Sequence, residues 1–162
     1  MKLNQGVEWA LHTCLNLGWL GEGSAAQTAA RLAAFYDLPP AYLNKQLQAL
    51  TRASILTSVS GPRGGFRLAR TLEEISVLDI VVAIEGRSDA FECAQILRDG
   101  PNGDRATDYR ATCLISQAMT EADLAWRTVL ANRTLADIKK QVEKAYPETP
   151  GATRAWFDHL EV

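Results

Sequence analysis

Ile55-Leu56-Thr57-Ser58-Val59, Ser60-Gly61-Pro62-Arg63-Gly64-Gly65 and Phe66-Arg67-Leu68-Ala69 form the stretch whose reading decides the fold. Apolar and β-branched residues flank a centre rich in glycine and proline. The pattern predicts two short strands joined by a flexible turn with an arginine near its tip. Upstream, Leu38-Pro39-Pro40 stops one helix and starts another, with proline in the first turn, where its missing N–H costs nothing. That helix carries Tyr42, Leu43, Leu47 and Leu50 and ends near Ala53. Before it, Ser24 is read as the N-cap of an Ala-rich helix from Ala25 to about Tyr36. Apolar residues at Val7, Leu11, Cys14 and Leu15 give a first helix from Gln5 to about Trp19, broken by Gly18 and Gly21–Gly23. Three short helices followed by a Gly-rich hairpin make a winged helix-turn-helix.

Downstream of the hairpin, Ser76 caps a helix through Val77, Ile80, Val81 and Ile84 to Gly86. Residues 87–111 are poorly patterned, and Gly100-Pro101-Asn102-Gly103-Asp104 is a loop. A longer helix is expected from about Cys113 to Asn132, with Ile115, Met119, Leu124, Trp126 and Leu130 among its apolar residues. Thr134 caps a last helix, Leu135 to about Ala145; Pro147 and Pro150 end it, and Trp156, Phe157 and Leu160 are expected to pack back. The fold class is therefore mainly α with a small β-hairpin wing, a winged helix-turn-helix plus a long dimerisation helix. Three regions follow: a DNA-binding domain over 1–86, a loop region over 87–111, and a dimerisation helix with a helical tail over 112–162.

The charge is split along the chain. Over all 162 residues the formal net charge is −2. Residues 1–70 hold seven Lys/Arg against three Asp/Glu, a net +4, and residues 71–162 hold ten against sixteen, a net −6. A basic front half fits a module that faces phosphate, joined to one that does not. No apolar run reaches membrane-spanning length and the N-terminus lacks the form of a signal peptide, so the expected setting is cytoplasmic, without a membrane partner. In that compartment the three cysteines, Cys14, Cys93 and Cys113, are poor candidates for structural disulfides. Cys14 shares a helical face with Val7 and Leu11 and reads as a core thiol.

Tyr42-Leu43 with Leu47 and Leu50, the run Ser60–Arg70, and Ile75 to Gly86 ending in Ala83-Ile84-Glu85-Gly86 together resemble the Rrf-two family of bacterial transcription regulators. The resemblance runs from Met1 to about Leu130, and motif order, spacing and wing all agree. It implies a winged-helix homodimer in which the long helix of each subunit crosses its partner. Within the family the chain resembles the RsrR-type redox sensors. Many cluster-binding members have three closely spaced cysteines in the 90–113 region; here only Cys93 and Cys113 stand, with Tyr109 where another would be expected. The resemblance therefore implies a mixed set of metal ligands, Glu8, His12, Cys93 and Cys113, around a [2Fe–2S] cluster, with Trp9 as a switch residue on the first helix.

The residues are compatible with that set. Glu8 and His12 are four apart, so on a helix they share a face. Histidine can replace cysteine at such clusters and raises the reduction potential, because the ligand shell becomes less negative. Four ligands suit a two-iron core. Taken without the resemblance, Glu8 and His12 also read as an ordinary surface pair, and Cys2HisGlu is a set that zinc accepts.

The DNA-reading assignments follow from the third helix and the wing. Asn44, Lys45 and Gln48 are the polar positions suited to base edges, while Tyr42 and Thr51 are placed at phosphates. Arg63 at the wing tip suits the minor groove, with Arg67 on the second strand. The partner is double-stranded DNA with a pseudo-palindromic operator. The function expected is a repressor that senses redox state through the cluster. Its main rival is a cluster-free winged-helix regulator that senses oxidants through cysteine thiols or holds a structural zinc. An enzyme with Cys93 or Cys113 as nucleophile and His12 as base lacks a recognisable catalytic signature, and the chain is read as no enzyme.

Overall fold

The computed structural model describes residues 3–87, 89 and 91–159. Helix α1 (Gln5–Leu20) opens it, capped by Asn4, whose side chain accepts from the Gly6 N–H at 2.7 Å. Then come α2 (Ala29–Ala34), α3 (Pro40–Arg52), β1 (Leu56–Val59) and β2 (Gly65–Leu68). The two strands are antiparallel, with Leu56 opposite Leu68 and Val59 opposite Gly65. A 3-10 turn (Leu72–Glu74) leads to α4 (Val77–Glu85). Another 3-10 turn (Ile96–Asp99) interrupts the following loop, before α5 (Leu114–Ala131), α6 (Leu135–Ala145) and α7 (Thr149–His159). The winged-helix reading of the sequence therefore holds, hairpin included.

One core serves the head and the tail. Leu32, Leu43, Leu47, Leu50, Ile55, Leu56, Ile75, Ile80 and Leu135 are all under 2% or at 2% exposure, and they come from α2, α3, the hairpin, α4 and α6. Helix α1 packs against α3, α4, α6 and α7, with Cys14 fully buried as its spacing suggests. Ser76 and Thr134 each form a capping box, with Asp79 and Asp137 respectively. The two caps face each other across a short bridge: Val77 N–H donates to the Arg133 carbonyl and Leu135 N–H to the Ile75 carbonyl.

Two sequence expectations change. Ser24 caps nothing: α2 starts at Ala29, capped by Thr28, because Gln27 is extended and pairs with the wing. Gln27 N–H donates to the Phe66 carbonyl at 3.0 Å and Phe66 N–H to the Gln27 carbonyl at 2.8 Å. An isolated bridge of this kind leaves no periodic trace in sequence. Pro150 likewise does not end a helix but sits in the first turn of α7, the position where proline is tolerated. Helix α7 returns to the head: Phe157 stacks on Phe35 at 5.4 Å between centroids, Trp156 meets Phe35 edge-on, and Arg31 donates to the Phe157 carbonyl. Leu160, expected to pack with them, lies outside the described residues.

Candidate DNA-reading surface and metal-ligand residues

Helix α3 has two faces set by its sequence. Leu43, Leu47 and Leu50 recur at helical spacing and are all 0% exposed, which fixes the helix on α1 and α2. That leaves Tyr42, Asn44, Lys45 and Gln48 on the exposed side. Tyr42 is 65% exposed. Thr51 is half-buried, and its hydroxyl donates back to the Leu47 carbonyl at 2.8 Å. In the DNA-free chain that bond lies within the helix.

The wing tip lies beside this surface in the chain and is built by glycine. Gly61 has φ +101, and Gly64 N–H closes the turn onto the Gly61 carbonyl at 2.8 Å. Gly65 has φ +151, and a Cβ there would meet the Gln27 carbonyl oxygen at 2.4 Å. Arg63 and Arg67 are exposed on this hairpin. Arg70 is not part of that exposed set, because it clamps the base of the head through the Ser54 and Glu74 carbonyls, each at 3.2 Å.

Glu8 and His12 stand one turn apart on the exposed face of α1, and Trp9 beside them is half-buried against the core. His12 has a neighbour that sequence reading missed. Its ring meets Tyr36 edge-on at 5.4 Å, and the Tyr36 hydroxyl donates to Asn16 Oδ1 at 3.2 Å. Burial pushes the Tyr36 hydroxyl above its usual value, and the Asn16 bond works against that shift. Asn16 is 1% exposed, and its Nδ2 has no partner among the described residues. No local spacing shows this contact, because Tyr36 comes from the turn after α2.

Cys93 and Cys113 are half-buried free thiols at the two ends of the loop, Cys113 at the N-cap of α5. The loop is tied by its own polar groups. Arg98 donates to the Thr107 carbonyl, Tyr109 N–H to Gln95, and Cys113 N–H to the Tyr109 carbonyl at 2.8 Å. Asp104 accepts from Thr107 and Ala106, which hold its carboxyl below the usual range. Cys14 is different: burial pushes its thiol up to about 12, so it stays protonated and inert. Among the described residues no three His, Cys, Asp or Glu side chains gather in one chain to hold a metal. The four expected ligands are thus not gathered into one cluster within a single chain.

The profile of the Rrf2 family, described as an iron-dependent transcriptional regulator, matches residues 3–141. The chain belongs to the Rrf2 family. YffB of Lactococcus lactis, named as an HTH-type transcriptional regulator, is 30% identical over 161 residues, covering 99% of this chain and all of YffB. Two solved structures share the fold. IscR of T. potens superposes with a TM-score of 0.65 at 23% identity, over 90% of this chain and 91% of IscR. CymR, the global cysteine regulator of B. subtilis, gives 0.63 at 20%, over 87% of this chain and 98% of CymR. As an Rrf2 regulator, the chain is a DNA-binding transcription regulator with a wing. Among its described residues no helix is long and apolar enough to cross a membrane.

Proposed function

We propose that this Rrf2 regulator is a homodimeric, cytoplasmic repressor that reads a pseudo-palindromic operator and responds to redox state through a [2Fe–2S] cluster. The observation that carries the DNA reading is the two-faced α3: a fully buried leucine stripe holds it while Asn44, Lys45 and Gln48 stay open. Asn and Gln amides suit adenine edges and Lys suits guanine acceptors. Tyr42 adds a phosphate contact, and Arg63, with Arg67 behind it, reaches toward the minor groove.

Dimerisation follows from α5. Ile115, Met119, Trp126 and Leu130 lie at spacings of four, seven and four, along one helical face. Trp126 and Leu130 pack against Val7, Val77 and Val81, but Ile115 is 69% and Leu114 78% exposed. The stripe is covered at its C-terminal end and bare at its N-terminal end, which suits a second copy of the helix.

The cluster reading rests on donor chemistry. Glu8, His12, Cys93 and Cys113 are two thiols, an imidazole and a carboxylate, all at least partly accessible. Because no three of them meet in one chain, the set is completed across the dimer: Glu8 and His12 of one protomer with Cys93 and Cys113 of the partner subunit. Bound there, the cluster would supply reversible one-electron chemistry. On this reading His12 supplies the imidazole of the set. Its contact with Tyr36 leads to the end of α2, two residues before Leu38-Pro39-Pro40 and the reading helix. Trp9, wedged between the ligand face and the core, would shift with α1.

That the four donors do not gather within one chain equally supports a second reading, in which the regulator senses oxidants through its cysteine thiols or holds a structural zinc. Visible and EPR spectra of anaerobically purified protein, before and after dithionite, with iron and sulfide assays, separate the two. A bleaching [2Fe–2S] spectrum supports the first reading; colourless, iron-free protein after reconstitution rejects it.

A further inference from the structure

A second cleft, away from the ligand residues, lies between the C-terminal end of α3, the outer face of α4 and the side of α5. It encloses about 620 Å³. Arginines from four separate segments line it: Arg52 from α3, Arg70 after β2, Arg87 after α4 and Arg127 from α5. The only carboxylate in the lining is Asp79, whose Oδ2 already accepts from the Ser76 N–H and hydroxyl at 2.9 Å each. Arg127 shares its charge with Asp123 at 2.6 Å. Arg70 is pinned by two backbone carbonyls, which orient its guanidinium without neutralising it. Arg52 and Arg87 are exposed and point no hydrogen bond or ion pair at any described residue.

Four arginines against Asp79 in the lining, with Arg127 already paired to Asp123, leave the cleft net positive and suited to an anion. Guanidinium forks match phosphate oxygens two at a time, and several forks from different directions suit a tetrahedral group better than a planar carboxylate. The floor between them is apolar, with Leu78, Val82 and Ile55. We propose that this cleft binds a small phosphate monoester with a short apolar body, and that the bound anion joins the reading helix α3 to the long helix α5. Such a ligand would act as an effector independent of the cluster, because it touches none of Glu8, His12, Cys93 or Cys113.

The test uses the full-length dimer in phosphate- and sulfate-free buffer, with phenyl phosphate as the probe. Calorimetry is expected to show saturable binding, one site per chain, and the melting temperature should rise with ligand. In the Arg52→Gln/Arg87→Gln variant the affinity should fall at least tenfold. Both side chains are exposed, so the variant should keep its far-UV dichroism; should it not fold, the wild-type titration alone decides. Absence of saturable heat and of a melting shift up to about 10 mM overturns the proposal, as does binding that the variant leaves unchanged. The same chemistry could come from the DNA backbone. A short random duplex that displaces phenyl phosphate at low salt, with a shallower salt dependence in the variant, would assign the cleft to DNA and overturn the small-molecule site.

Discussion

The winged head and the loop-and-arm region from residue 87 to the middle of α5 solve opposite problems. In the head, every helix buries an apolar stripe within the same chain, and the wing is bonded on both sides, to β1 and to Gln27. In the loop and arm, order comes from local polar bonds, while Ile96, Leu97, Leu114 and Ile115 stay exposed. A region that hides its apolar surface can fold alone. One that leaves that surface open is suited to the proposed second copy, and the two cysteines sit in that region.

The largest expected effect breaks the head. Leu47→Ala empties a fully buried site and should cost about 2–5 kcal/mol, read from urea unfolding; a cost near zero would mean the leucine stripe does not hold α3. Gly65→Ala comes next. It puts a Cβ 2.4 Å from the Gln27 carbonyl at a φ that L-residues avoid, and should cost about 1–3 kcal/mol while splitting the wing from Gln27. Amide exchange at Phe66 would report that split directly.

On the arm the consequence is assembly, not folding. Ile115→Glu should leave the melting of the head nearly unchanged and weaken the dimer at least tenfold by sedimentation. A large loss of head stability, or an unchanged dimer, would break the contrast between the regions.

The smallest effect separates the cysteines. Cys93 and Cys113 should be alkylated in the native apo-protein while Cys14 is spared. The Cys14 thiol is raised from its ordinary value near 9 to about 12 by burial, so in the folded state it keeps its proton longer. Below pH 9 both states are protonated and nothing changes; from pH 9 to 12 only the unfolded chain ionises, so stability should fall as pH rises. Cys14→Ala should make that slope shallower and leave the part that Tyr36, also raised by burial, contributes.

Legibility followed the same division. In the head and the tail packed on it, periodicity and punctuation were enough: Leu43, Leu47 and Leu50, Pro39-Pro40, and the caps Ser76 and Thr134 all state local rules that the fold keeps. Where the sequence misled, a tertiary bond had overridden a local signal. Gln27 gives up the helix that Ser24 seemed to start because its backbone pairs with Phe66. Pro150 could be read as a stop or a start, and only the docking of Phe157 against Phe35 decides between them. Around the candidate ligands, spacing put Glu8 and His12 on one face, but nothing local announced Tyr36 beside His12. The arginines that line the second cleft come from separate segments of the chain, so no motif records them.

The central claim is that the ligand set belongs to the dimer and not to the chain. The most direct test co-expresses a chain carrying Glu8→Ala and His12→Ala with a chain carrying Cys93→Ser and Cys113→Ser, and isolates the heterodimer by two affinity tags. Each variant alone should be colourless. If the ligands come from opposite subunits, the heterodimer keeps one intact set and should hold a single [2Fe–2S] cluster, half the iron of the wild-type dimer. A colourless heterodimer beside a loaded wild type would contradict the account, because every set would then lie within one chain.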